Sequence, residues 1–182
     1  MTNLSSEEFA RRAEQIEWLL SDVDGVMTDG GLYYSHGRHA ALRFNVRDGL
    51  AIKLVQRAGL RFGAFSGRRS PALKQRAKEL GFDEIITASR DKGADFDRFL
   101  ERHRTDARRV AFIGDDLPDV VVLGRCGLSF APADAATEVR TIVDCVLDSS
   151  GGEGAVRETV ERLFRARGDW ESILAPFSFD QG

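Results

Sequence analysis

Apolar residues along this chain fall into short compact runs separated by amphipathic stretches, the alternation expected of buried strands and surface helices. The first run, Trp18-Leu19-Leu20, ends at two aspartates and reads as a strand buried on both faces. Residues 60–65, 85–86, 110–113, 128–130 and 145–147 repeat that form. Between them the spacing turns helical. Asp48 is placed to cap a helix that runs to Gly59. Ser70-Pro71 is an N-cap followed by proline at the first helical position, and Gly81 ends that helix. Residues 91–104 put Phe96, Phe99 and Leu100 on one face, and residues 118–125 form a further helix. Val156, Val160, Leu163 and Phe164 have helical spacing near the end. Ser5-x-x-Glu8 is a capping box that opens a short surface helix. Residues 32–46 break the pattern. Leu32 and Tyr34 precede His36-Gly37, Ala40, Leu42 and Phe44 follow it, and the segment reads as a β-hairpin.

Repeated βα units imply an α/β fold: a Rossmann-like parallel sheet with helices on both faces. Ligands of such sheets bind at the carboxyl ends of the strands. A length of 182 residues fits one domain, here residues 16–167, with a helical extension over 1–15 and a tail over 168–182. Ser149-Ser150-Gly151-Gly152 is the most linker-like stretch. The net charge of −3 leaves no bulk basic footprint for nucleic acid. No run approaches the ~18 apolar residues that cross a membrane, and the first 15 residues lack the apolar core of a signal peptide. Cys126 and Cys145 are far apart with no histidine near them, so they make no zinc pattern or disulfide framework. They read as small buried hydrophobes in a reducing cytoplasm, and His36, His39 and His103 as solvated.

The strand ends carry the chemistry. The first ends in Asp22-Val23-Asp24-Gly25: two carboxylates just beyond a buried strand are costly unless one faces a cation and the other a substrate. The second ends in Ser66-Gly67-Arg68, a hydroxyl, a flexible backbone and a guanidinium that together suit a phosphate. After the third comes Lys92, at a helix start where the dipole disfavours it unless it neutralises something, with Asp91 as a local partner. The fourth ends in Gly114-Asp115-Asp116-Leu117-Pro118-Asp119, whose carboxylates repel unless they share a cation. An oxygen-rich set favours magnesium. Each stretch alone also reads as an ordinary turn or an acidic helix start. In order at consecutive strand ends, they point to one site.

In that order these residues resemble the four motifs of the haloacid dehalogenase superfamily of phosphotransferases. Within it the chain is similar to the 3-deoxy-D-manno-octulosonate 8-phosphate phosphatase family. That similarity rests on residues 22–29 (DVDGVMTD), 44–49 (FNVRDG), Ser66-Gly67-Arg68 and 151–158 (GGEGAVRE). The resemblance implies a Mg²⁺-dependent hydrolase of a phosphorylated sugar acid, in a lipopolysaccharide pathway. Asp22 would take the phosphoryl group, and Asp24 would protonate the leaving alcohol and then activate water. Ser66 and Lys92, with Gly67 beside them, would hold the phosphoryl oxygens. Asp22, the Asp24 carbonyl and Asp115 would bind Mg²⁺, supported by Asp116 and Asp119. Arg68 and Arg157 would meet the sugar acid, with Arg47 a weaker candidate. Relatives more often carry threonine where this chain has Ser66, and both supply a hydroxyl.

Neither the stretch between Asp22 and Ser66 nor that between Ser66 and Lys92 has room for a large cap domain. The hairpin carries more apolar residues than its own face can hide, which points to a subunit contact. The resemblance implies a homotetramer built through it. Gly151-Gly152-Glu153-Gly154 reads as a mobile segment that delivers Arg157. Three other readings stay open: a phosphatase of a sialic-type 9-phosphate, a receiver-like signalling module, and a non-catalytic tetramerising domain. Arg68 argues against the first, Asp24 with the cluster Asp115, Asp116 and Asp119 against the second, and the full set of carboxylates with Lys92 against the third.

Overall fold

The computed structural model describes residues 4–34 and 40–177. Five strand-and-helix units follow the first strand of a six-stranded sheet, in chain order. After α1 (Ser6–Glu14) and β1 (Trp18–Asp22) come the short pair β2 (Tyr33–Tyr34) and β3 (Ala40–Ala41), then α2 (Val46–Arg57). The series continues with β4 (Arg61–Phe65), α3 (Pro71–Leu80), β5 (Glu84–Ile86) and α4 (Lys92–His103). It closes with β6 (Val110–Ile113), α5 (Val120–Leu123), β7 (Leu128–Ala131), α6 (Thr137–Ile142), β8 (Cys145–Val146), α7 (Ala155–Arg167) and α8 (Trp170–Leu174). The sheet order is β5-β4-β1-β6-β7-β8 and every neighbour is parallel. The chain builds outward from β1 to β5, then returns to lay β6 on the other side of β1. The crevice therefore opens between the ends of β1 and β6, where the winding reverses.

The central strands are mostly apolar because both faces of the sheet are covered. Leu19, Phe62, Ala64, Ala111, Ile113, Leu128 and Phe130 face α1, α2 and α7. Their alternates Trp18, Leu20, Phe65, Val110, Phe112 and Ala131 face α4, α5 and α6. On that second side Phe65 meets Phe96, Phe99 and Phe112 edge to face. Phe9 and Ala13 of α1 and Trp170 of α8 lie in the core on the first side, with Leu19 and Phe130.

Local signals hold at the α3 and α4 ends. The Ser70 hydroxyl accepts the Leu73 amide, Pro71 opens α3, and Gly81 ends it in the left-handed region at φ 63°. Asp91 caps α4 by accepting the Ala94 amide. Elsewhere the structure corrects the expectation. Asn45, not Asp48, caps α2. The helix expected over 118–125 is a 3₁₀ turn (Leu117–Asp119) followed by the single turn of α5, because the Asp116 and Asp119 side chains form a capping box across it. α6 was not foreseen, since Val139 is its one buried residue and gives no periodicity. His103 is half-buried, its ring tilted against Trp18 with centroids 4.5 Å apart and paired with Glu84 at 2.8 Å, rather than solvated. Cys145 is buried and Cys126 half-buried, both as free thiols. Burial pushes the Cys126 thiol up to about 12.

The hairpin is present as a short antiparallel pair, Tyr33 against Ala41, with a further bridge from Thr28 to Phe44. Its tip, with His36 and His39, lies outside the described residues. Tyr34 is 78% exposed and Tyr33 55%. Among the described residues no helix is long and apolar enough to cross a membrane.

Asp48 sits in the first turn of α2 and is buried. Its Oδ1 accepts the Arg157 amide at 2.8 Å, which caps α7, and its Oδ2 has no partner. Burial pushes this carboxyl up to about 6, opposed by the Arg157 amide and by Arg76. A folded-state value above the unfolded one means that stability is full below about pH 4 and is lost as pH rises toward 6. Asp48→Asn keeps the acceptor oxygen and removes the charge. Thermal melts should show no gain for this variant at pH 4 and a gain on the order of 2 kcal/mol at pH 7.5. A gain that is equal at both pH values would show that Asp48 is not the titrating group.

Candidate active site

β1 ends at Asp22, a buried residue whose side chain is turned toward the crevice by the strand alternation. Lys92, the first residue of α4, crosses to it. Its Nζ lies 2.7 Å from Asp22 Oδ1 and 2.5 Å from Asp119 Oδ1. This resolves the adverse placement of a lysine at a helix start. Asp91 is occupied by the helix cap, and Lys92 neutralises two buried carboxylates on the neighbouring loops. Burial disfavours the Lys92 charge, yet Asp22 and Asp119 hold its pKa above the usual lysine range.

Asp119 is buried and fully engaged. Beyond Lys92, its Oδ2 accepts the amides of Asp115 and Asp116 at 3.1 and 3.4 Å, which shapes the loop after β6. Gly114 makes this possible, since a Cβ there would lie 2.6 Å from the Asp119 Cβ. Asp116 is exposed and caps the 3₁₀ turn through the Leu117 amide.

Asp22, Asp115 and Asp119 bring carboxylate oxygens within 4.8 Å of one another. Asp115 Oδ1 is buried with no hydrogen-bond partner. Burial together with the neighbouring carboxylates pushes Asp22 up to about 6 and Asp115 up to about 8. One lysine does not balance three carboxylates, two buried and one half-buried. An all-oxygen cluster with an unpartnered buried oxygen fits a hard divalent cation. With Asp119 committed to Lys92 and to amides, Asp22 and Asp115 are the free ligands.

A cavity of about 670 Å³ opens over this cluster, lined by Asp22, Asp24, Gly67, Arg68, Lys92 and Asp115 among others. Asp24 is half-buried, and its Oδ1 lies 3.4 Å from Arg68 Nη1. Ser66 is buried behind the wall, where its hydroxyl accepts the Arg68 amide at 3.1 Å. The loops after β4 and β5 are stitched together by amides of Ala88 and Ser89 that donate to the carbonyls of Arg68 and Ser66. Within 670 Å³ there is thus a carboxylate that can attack, a second that can carry a proton, cations for an anion, and oxygen ligands for a metal.

A haloacid dehalogenase-like hydrolase family profile matches residues 81–158. The 3-deoxy-D-manno-octulosonate 8-phosphate phosphatase of Haemophilus influenzae is 38% identical over 87% of this chain and 88% of its own. This chain belongs to that phosphatase family. Among solved members, the Moraxella catarrhalis enzyme in complex with magnesium, phosphate and KDO superposes with a TM-score of 0.91. It is 30% identical and covers 94% of this chain and 99% of its own. The cobalt-bound Haemophilus influenzae enzyme gives a TM-score of 0.84 at 38% identity, over 87% and 93% of the two chains. Both of these relatives hold a divalent metal, magnesium in the first and cobalt in the second.

Against the motif residues of the family, the structure brings Asp22, Asp24, Gly67, Arg68, Lys92, Asp115, Asp116 and Asp119 to the wall of one cavity, with Ser66 buried behind it. It does not bring Arg157 there. Arg157 lies in the first turn of α7, pairs with Glu161 at 2.5 Å and sits 5.6 Å over Trp170, lining a separate cavity with Arg47. In the glycine segment before it, Gly151 and Gly152 are buried against the loop after β1, while Glu153 is exposed. The sequence reading missed Arg90, which lines the cavity beside Lys92, and the apolar rim made by Leu117 and Val121. The position of Arg90 next to Asp91-Lys92 at a strand end was the available signal. An exposed arginine beside an aspartate otherwise reads as solvated surface.

Proposed function

We propose that this chain is a Mg²⁺-dependent phosphomonoesterase that releases phosphate from 3-deoxy-D-manno-octulosonate 8-phosphate. The observation that carries this reading is the Asp22–Lys92–Asp119–Asp115 cluster, set beside Asp24 and Arg68 in a chain 38% identical to an enzyme of that name. In the first step an Asp22 oxygen bonds to phosphorus, the bond from phosphorus to the sugar oxygen breaks, and Asp24 gives its proton to that oxygen. In the second, Asp24 takes a proton from water, whose oxygen bonds to phosphorus and frees Asp22 and inorganic phosphate. Lys92, Ser66 and the Gly67 backbone hold the phosphoryl oxygens. Asp22, the Asp24 carbonyl and Asp115 would hold Mg²⁺, and its positive charge would offset the repulsion between a carboxylate and a phosphate dianion.

Arg68 is placed to bind the sugar acid. Its pairing with Asp24 at 3.4 Å is long and half-exposed, so an incoming carboxylate can draw the guanidinium away. Arg68→Ala should raise KM for the sugar-acid phosphate by about tenfold and change turnover of p-nitrophenyl phosphate little. Equal losses on the two substrates would remove the selectivity role.

The reading includes a homotetramer in the cytoplasm. The cavity is open, no cap domain covers it among the described residues, and exposed Leu32, Tyr33 and Tyr34 offer an apolar surface through which neighbouring copies can close it. The deciding experiment is phosphate release with and without Mg²⁺ on the eight-carbon and nine-carbon sugar-acid phosphates and on simple sugar phosphates. A Mg²⁺-dependent preference for the eight-carbon acid is expected. No release from any of them would overturn the proposal.

A further inference from the structure

The loop after β1 carries Asp24, and its conformation is set from both sides. On the inside, the Thr28 amide and hydroxyl donate to the Val23 carbonyl at 3.0 and 3.1 Å. Gly25, at φ 91°, lies so close to Asp115 that a Cβ there would sit 2.1 Å from Asp115 Oδ2. On the outside lie Gly151 and Gly152. A Cβ on Gly151 would sit 1.9 Å from the Gly25 carbonyl oxygen, and one on Gly152 would sit 2.4 Å from the Asp29 nitrogen. Backbone approach this close admits only glycine. The Gly152 amide also donates to the Val26 carbonyl at 2.9 Å. The stack therefore runs from Gly151 through the Gly25 peptide to the Asp115 carboxylate with no space between layers.

The outer layer is pinned by residues that touch none of the reacting groups. Asp134 Oδ1 accepts the Gly151 amide at 2.9 Å. Asn45 Nδ2 donates to the Gly152 carbonyl at 3.2 Å. Two residues after Asp134, the Ala136 amide donates to the Asp115 carbonyl at 2.8 Å. One loop thus holds both the wedge and the Asp115 backbone.

We infer that Gly151 and Gly152 act as a positioning wedge that sets the Asp24–Gly25 backbone against Asp115, and so tunes metal binding and proton transfer from outside the cavity. This rests on the reading of Asp24 and Asp115 as working residues. Gly151→Ala must displace the Gly25 carbonyl, and a displacement on the order of 1 Å at a reacting group costs about 10²-fold. Turnover of p-nitrophenyl phosphate should fall by about that factor. Mn²⁺ binding, measured by calorimetry without substrate, should weaken by about tenfold or more. Gly154 is the control. It has φ 105° but nothing within 4 Å of where a Cβ would stand, so Gly154→Ala should lower the melting temperature and leave turnover and Mn²⁺ affinity at wild-type values. Wild-type turnover and Mn²⁺ affinity in Gly151→Ala would overturn the inference, as would an equal loss in Gly154→Ala. If Gly151→Ala does not fold, Asp134→Ala withdraws the pin without adding bulk. It should weaken Mn²⁺ binding and turnover by about threefold to tenfold, with recovery in Asp134→Asn, which keeps an acceptor. A folded Asp134→Ala with wild-type values overturns the inference. A wild-type protein that neither binds Mn²⁺ nor hydrolyses any ester would overturn the proposed function and the wedge with it.

Discussion

Asp22→Asn should abolish phosphate release while leaving the fold intact. The amide matches the carboxylate in shape but has no charge and is a poor nucleophile, so the covalent step is lost. A fall in kcat of about 10³-fold or more is expected. The fold should tolerate the change because the variant removes charge from a crowded acidic cluster. Lys92 keeps Asp119 as a partner at 2.5 Å, and burial with the neighbouring Asp119 carboxylate already pushes Asp22 up to about 6. The melting temperature without metal should therefore be equal to wild type or higher. Rapid-quench mass spectrometry should detect phosphate on Asp22 in the wild type and none in the variant. Retained turnover in Asp22→Asn would sink the assignment of Asp22 as nucleophile.

The second large effect is expected at Lys92, and here stability and activity fall together. Its side chain is 6% exposed and is the shared cation of Asp22 and Asp119. Lys92→Met keeps the aliphatic volume and removes the charge, so no cavity confuses the result. Removing one partner of a buried pair leaves an uncompensated charge and costs about 3–5 kcal/mol. For a domain of this size that is a drop in melting temperature of about 10 °C. Loss of a fixed cation beside the transferring phosphoryl group should also lower kcat by about 10²-fold or more. Added Mg²⁺ should recover part of the stability, since binding to the folded state alone stabilises it. It should not recover the rate, because Lys92 contacts Asp22 directly. A Lys92→Met protein that melts with the wild type in the absence of metal would show that the acidic cluster needs no internal cation.

Most of the sheet was legible because a strand buried on both faces must be apolar throughout. Trp18-Leu19-Leu20 and residues 110–113 can be little else once turn and helix signals flank them. The α3 ends were legible for a local reason: Ser70, Pro71 and Gly81 each act within one turn. α6 and α8 were not, because one buried residue each, Val139 and Trp170, leaves no period to read. The α2 cap went to Asn45 instead of Asp48 because burial by α7 drew Asp48 into a different bond, with the Arg157 amide.

The same division runs through the site. Asp22, Asp24, Ser66, Lys92 and Asp115 follow from the chain order alone, since a parallel sheet delivers each strand end to one crevice and carboxylates left there unpaired are costly. The partner of Lys92 could not be read that way. Asp91 was the near candidate, and only the β1–β6 neighbourhood shows that Asp22 and Asp119 take the charge. Arg157 and the glycines before it show the limit most clearly. Glycine-rich sequence is equally the mark of a mobile loop and of backbone pressed against backbone. Spacing along the chain does not distinguish the two. The contact of Gly151 with Gly25 does, because it is made between residues at opposite ends of the sequence that meet only once the sheet has closed.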